Sequence, residues 1–251
     1  MQRPLKATTG NPRAAATRDQ LLDAAAAVFT ESGFRHATVR EICRRAGANI
    51  AAVNYHFGDK AALYLAVLRR LEAEAEARHP ITPPEADRLT PARRLERFVR
   101  SFLFRLLVEG ANLPGGRLMS LEMIQPTAAL DAVAREHLQP IADELRVIVT
   151  GLLGESADEN RIRLCGISVI SQCLFYHQCQ EVVRRLFPDM PFDTAQIEVL
   201  AAHITRFSLA GIKETARPDR KGLAAARGQN ARNSAKRGTS ARGARGRSAP
   251  E

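Results

Sequence analysis

The chain has 251 residues, 37 of them Lys or Arg against 27 Asp or Glu, for a net charge of +10. Residues 217–251 alone hold ten basic and two acidic side chains, eight of those ten charges, and Leu223 is their only apolar side chain larger than Ala or Pro. Such a stretch cannot bury enough surface to offset chain entropy, so a disordered basic C-terminal tail is predicted behind a nearly neutral body. Every long apolar run is broken well before the roughly 18 residues that a membrane helix needs. Residues 1–18 lack the apolar centre of a secretory signal. The four cysteines (Cys43, Cys165, Cys173, Cys179) fall inside helical patterns rather than in a dense disulfide framework. These features predict a cytoplasmic protein without a membrane partner.

No stretch alternates like a strand, whereas helical periodicity recurs from Thr17 to Ile212 and predicts an all-α fold. Leu22, Ala25, Ala26 and Phe29 form one apolar face of a helix over Arg18–Ser32, opened by a Thr17/Gln20 capping box and stopped at Gly33. A second box, Thr38/Glu41, opens a short helix to Ala46 that halts at Gly47. Asn49 can cap a third helix, Ile50–Phe57, and Asp59 a longer one with Leu63, Val67, Leu68 and Leu71. Pro80, Pro83 and Pro84 mark a domain boundary. Thr90-Pro91 then starts a helix with Leu95, Phe98, Val99, Phe102 and Leu106. Further helices are expected over about Arg117–Ile124, Ala128–Gln139, Ile141–Leu153, Glu159–Phe187 and Thr194–Ile212, most of them separated by Pro126, Pro140, Pro188 and Pro191. The division this suggests is a flexible arm over 1–16, a head over 17–79, a helical body over 80–216 and the tail over 217–251.

Two short helices joined by a turn of Gly47, Ala48 and Asn49, and braced by a preceding helix, have the form of a helix-turn-helix. Val53 and Phe57 should face inward with Ile42, leaving Ile50, Ala51, Asn54 and Tyr55 outward. The ordered set Gly33-Phe34, Ala37-Thr38-Val39, Ala46-Gly47, Tyr55-His56-Phe57 and Asp59-Lys60 resembles the amino-terminal domain of TetR-type transcriptional regulators. The run from Ala46 to Lys60 looks most like a drug- or stress-responsive subgroup.

That resemblance implies a three-helix DNA-binding head, a larger helical effector and dimerisation domain, a double-stranded DNA operator as partner, and a small-molecule effector. It also implies roles for particular positions. Thr38, beside the free donors of a helix start, matches a phosphate contact. Arg40 matches a position that reaches a base, where a guanidinium suits guanine O6 and N7. Asn49 caps the recognition helix. Ile50, Ala51 and Asn54 match its base-reading face: the first two offer methyl contact to thymine, and Asn54 could pair with adenine. Ala52, Tyr55, His56 and Lys60 match positions that contact the DNA backbone. The family often carries an aromatic where this chain has Asn54, and a polar or basic residue where it has Ile50.

Several features admit a plainer reading. Tyr55-His56 could be a packing pair. Cys173 and His177 stand at i, i+4 with Cys179 nearby, a spacing open to a metal and equally to a packed thiol and imidazole. Gly110 to Arg117 lacks the Lys-[Ser/Thr] of a phosphate loop and reads as a helix connection. Phe102, Phe104, Met119, Met123, Cys165, Cys173, Phe175, Tyr176 and His177 could line an effector cavity or simply be core; Arg105, Glu122 and Gln172 are the polar groups that could orient a ligand. The last two long helices are apolar over wide faces, as a homodimer interface requires. With no nucleophile motif, paired carboxylates or dinucleotide fingerprint, neither an enzyme nor a cofactor is expected. The competing reading is an architectural nucleic-acid-binding protein dominated by its basic tail.

Overall fold

The structure, a computed structural model, describes residues 12–109 and 114–216; the predicted tail and most of the predicted N-terminal arm lie outside them. Every regular element among the described residues is helical. In the head, α1 spans Pro12–His36, α2 Val39–Ala46, α3 Ile50–His56 and α4 Lys60–Arg78. In the body, α5 (Pro91–Phe104) continues into a π-helical turn at Arg105–Glu109. α6 is Pro114–Ile124 and α7 Leu130–Val133, followed by a second π-helical turn at Ala134–Leu138 and α8 (Gln139–Leu153). α9 (Glu159–Gln178), α10 (Gln180–Leu186) and α11 (Thr194–Thr215) complete the described chain.

Of the expected caps, Thr38, Asn49, Asp59 and Thr90 form, and Asp158 and Asp193 add two that were not expected. The side chains of Thr38, Asn49, Asp59, Thr90, Asp158 and Asp193 each accept a backbone N–H in the first turn of the following helix. Three predicted boundaries need correction. α1 begins at Pro12 rather than Thr17, because the Ala14–Ala16 run of strong helix formers extends it upstream and leaves Thr17 inside. Gly33, at φ 68° and ψ 167°, does interrupt the helix as expected, and only a short piece to His36 continues beyond it. Pro140 does not separate two helices: Leu138 and Gln139 keep right-handed helical angles, and the π turn runs straight into α8 with Pro140 in its first turn, where a missing N–H is tolerated. Glu159–Phe187 is two helices, broken at Cys179 (φ −104°, ψ 18°), where no Gly or Pro announces it.

Two apolar cores form. The body core is built on α5, whose Leu95, Phe98, Val99 and Leu103 pack with Ile148 and Val149 of α8, Val169 and Cys173 of α9 and Ile197 and Ile204 of α11. At its edge the buried Glu144 carboxylate accepts from Arg94 at 2.6 and 2.7 Å and from the Thr82 hydroxyl at 3.2 Å. The head core gathers Leu21, Leu22, Phe29, Ile42, Val53, Leu63, Tyr64 and Val67, and it extends beyond Pro80 to Leu118 of α6, Ala129 just before α7 and Val133 within it. A buried polar knot lies at this seam: the Tyr64 hydroxyl donates to Glu122 Oε2 at 3.0 Å, while the Thr127 N–H and hydroxyl donate to Oε1 at 2.8 and 2.9 Å. Burial and the facing carboxylate push the Tyr64 phenol well above its ordinary value.

Candidate nucleic-acid interface

The turn between α2 and α3 is set by Gly47, whose φ of 62° is the left-handed conformation that a side chain disfavours by about 1–2 kcal/mol. Its neighbour Ala48 donates to Cys43 O at 2.9 Å, and Asn49 then caps α3 through Ala51 N at 3.0 Å. α2 buries Ile42 and Cys43, and α3 buries Val53, so each short helix is held by one face only. Phe57 packs against the head core with the Arg18 guanidinium 5.3 Å above its ring, which fixes the far end of α3 to α1.

The opposite faces are turned to solvent. Thr38, Arg40, Asn49, Ile50, Ala51, Asn54 and Tyr55 are exposed, and Ala52, His56 and Lys60 are half-buried. Ile50 is 44% exposed and Tyr55 80%, an unusual display for two large apolar side chains on a seven-residue helix. The Tyr55 ring meets His56 edge-on at 4.9 Å and covers no core residue.

The basic residues divide by partner. Arg44 pairs with Glu41, and Arg45 bridges Glu41 and Glu31 at 2.7 Å each, tying α2 to α1. These two guanidiniums hold the Glu41 carboxyl down at about 2, so it stays charged. Arg40 takes part in none of the ion pairs among the described residues, so its guanidinium is available to a ligand.

Lys60 differs from what the motif suggested. Its ammonium donates to Phe34 O at 2.9 Å and Ala37 O at 3.1 Å and lies 4.5 Å from the Phe34 ring centroid. It therefore closes the carbonyls left open where α1 ends and α2 begins. No local pattern announces this, because the partners lie 26 and 23 residues away. The Arg18–Phe57 contact and the Glu31–Arg45 bridge were equally invisible.

Among the described residues, the side chains proposed to line an effector cavity sit in different surroundings. Phe102 and Cys173 belong to the body core, and burial pushes the Cys173 thiol up to about 12. Met119 packs on the head core, and Met123 is 41% exposed. Tyr176 lies against the body core, half-buried. The His177 ring binds the Ser120 hydroxyl at 2.6 Å and the Leu106 carbonyl, and burial lowers its basicity. Cys173 and His177 are thus packed and bonded, and among the described residues no group of three His, Cys, Asp or Glu side chains converges as a metal site. Of the polar candidates, Glu122 is consumed in the seam, Gln172 bonds Ser208, and Arg105 pairs with Glu72 and Glu76 of α4.

Residues 21–67 match the family described as bacterial regulatory proteins, tetR family, and residues 91–212 match the C-terminal domain of the HTH-type transcriptional dual regulator CecR. CecR of Shigella flexneri is 30% identical over 198 residues, 75% of this chain and 87% of that one. The chain belongs to the TetR family. Like other TetR-family members it is a DNA-binding transcriptional regulator. The HTH-type transcriptional repressor NicS of Pseudomonas putida is 29% identical over 167 residues, 64% of this chain and 76% of that one. Two solved structures share the TetR-family fold. A transcriptional regulator from Rhodococcus sp. gives a TM-score of 0.55 at 23% identity, covering 77% of this chain and 96% of that one. NalD, the secondary repressor of the MexAB-OprM multidrug efflux pump in Pseudomonas aeruginosa, gives 0.51 at 21%, covering 78% and 97%.

Proposed function

We propose that the chain acts as a homodimeric repressor that reads a two-part operator through α3 and the start of α2, and that a small molecule bound in the helical body releases it. The observation that carries the DNA half is the solvent face of α2 and α3: an Arg40 without an ion pair among the described residues, Asn54, and two large apolar side chains that the described residues leave exposed. Arg40 and Asn54 supply hydrogen-bonded base readout, each worth about 1–3 kcal/mol of discrimination, and Ile50 and Ala51 supply methyl contact to thymine. Thr38, Asn49, Ala52, Tyr55 and His56 seat the helix on the backbone.

One half-site gives too little specificity, so two copies must bind together, with half-sites at least about 34 Å apart. The exposed apolar stripes of α9 (Leu164, Ile167, Phe175) and α11 (Val199, Phe207) support pairing through these helices. Repression rather than activation is supported by the name of NicS, while CecR carries the name of a dual regulator.

Selection of bound duplexes from a random pool at physiological salt tests the reading. A palindromic consensus is expected, and Asn54→Ala is expected to relax the preference at one position per half-site while leaving the rest intact. Recovery of no consensus by the full chain would remove the proposal.

A further inference from the structure

Both π-helical turns converge on the same side of α4, the helix that joins the reading head to the body. Arg105, at the start of the first, donates to Glu72 at 2.6 Å and to Glu76 at 3.1 Å. Glu136, in the second, accepts from Arg69 at 2.6 Å through both oxygens. Between these contacts lies a cleft of about 290 Å³. α4 forms one wall, and the second π turn and the start of α8 form the other. π turns interrupt regular helices at a cost and recur at ligand sites.

The chemistry of the cleft has a sign. Three carboxylates border it: Glu136 is answered by Arg69 and, from further off, Arg135, whereas Glu72 and Glu76 share the single guanidinium of Arg105, with the Ile81 N–H also donating to Glu76 at 3.2 Å, so this pair is one positive charge short. His137 also borders the cleft, and its Nε2 is buried with no hydrogen-bond partner among the described residues. A buried polar nitrogen of this kind costs stability until a ligand or water meets it. The remaining surface is apolar, from Ala73, Ile81 and Ile141.

We infer that this cleft binds a small organic cation, a protonated amine on a compact apolar body, and that its occupancy is the signal that releases operator DNA. The binding half stands on the cleft itself, and the release half rests on the regulator reading above. An ammonium group brings the missing positive charge and three N–H donors, which suit the Glu76 and Glu136 carboxylates and, once the His137 ring turns toward the cleft, its Nε2 in the acceptor tautomer. The size is at the lower end for small-molecule sites and fits an aromatic or short aliphatic amine rather than a large drug. A bare metal ion is disfavoured, since the bordering carboxylates and imidazole form no convergent ligand set. Glu76 is the more exposed of the two Arg105 partners, so the bound amine competes with Arg105 for it and loosens the tie between the body and α4. By linkage, amine and operator then weaken each other by the same factor.

Titration calorimetry of the full chain without DNA, with 2-phenylethylammonium and its opposite-charge counterpart 3-phenylpropionate, tests the site. The ammonium is expected to saturate one site per chain and the carboxylate to show none. Glu76→Gln combined with Glu136→Gln is expected to weaken the ammonium at least about tenfold with the thermal midpoint retained. His137→Phe, which leaves every charge in place, covers the case in which the double variant does not fold and should weaken it severalfold. Equal binding of both probes, no ammonium binding up to about 10 mM, or undiminished binding by the variants would overturn the inference. Operator affinity that stays constant at saturating ammonium would overturn the release half. Absence of any operator consensus without amine would instead sink the regulator reading and leave the calorimetry standing.

Discussion

Lys60 changes its assignment once its surroundings are known. The TetR motif places it beside DNA phosphates, yet its ammonium is already shared between two backbone carbonyls and the Phe34 ring. Lys60→Ala is therefore expected to cost about 2 kcal/mol of stability, from the lost charge-assisted hydrogen bonds and cation–π contact, which denaturant unfolding measures. If the salt slope of operator binding also falls by about one unit, the same ammonium serves a phosphate as well. His177 is legible in a different way. Burial depresses its basicity below the ordinary 6.5, so the unfolded chain binds the extra proton first as pH falls. Stability is accordingly complete above about 6.5 and declines as the pH drops below it; His177→Gln should flatten that part of the profile in unfolding midpoints measured from pH 5 to 7.5.

At the scale of elements, what could be read in advance was what is local. Caps at Thr38, Asn49, Asp59 and Thr90, the turn at Gly47, and the inward triplet Ile42, Val53, Phe57 follow from neighbours within one or two helical turns. What could not be read depends on distant partners or on weak signals. The break at Cys179 has no breaker residue, the π turns have no propensity signature, and Pro140 suggested an end where the chain continues. The effector residues were inferred from helical faces in the body, which cannot separate a core stripe from a pocket wall; of that set only Arg105 borders the cleft beside α4. The outward stripes of α9 and α11 are the clearest element-level prediction. Phe207, 64% exposed on α11, should lie in the pair interface, so Phe207→Glu is expected to shift sedimentation at micromolar concentration from dimer to monomer and to weaken operator binding in step.

For the whole molecule, the charge distribution separates two modes of DNA contact. Residues 217–251 carry most of the net charge, while the described body presents its reading face through neutral and singly charged side chains. Removing residues 217–251 is expected to lower affinity for all duplexes alike and to reduce the salt dependence, with the selected consensus unchanged. Loss of nearly all binding on that deletion would favour the architectural alternative. No helix among the described residues is long and apolar enough to cross a membrane.

The seam around Glu122 bears on how such regulators exchange parts. Leu118, Ala129 and Val133 complete the apolar interior of the DNA reader, and Tyr64 is anchored on a carboxylate from the other side of Pro80. A fragment cut at that proline would expose this interior and leave the phenol without its acceptor, so it should not fold as an independent reader. A chimera that grafts this reader onto a foreign sensor would have to carry α6 and α7 along with it.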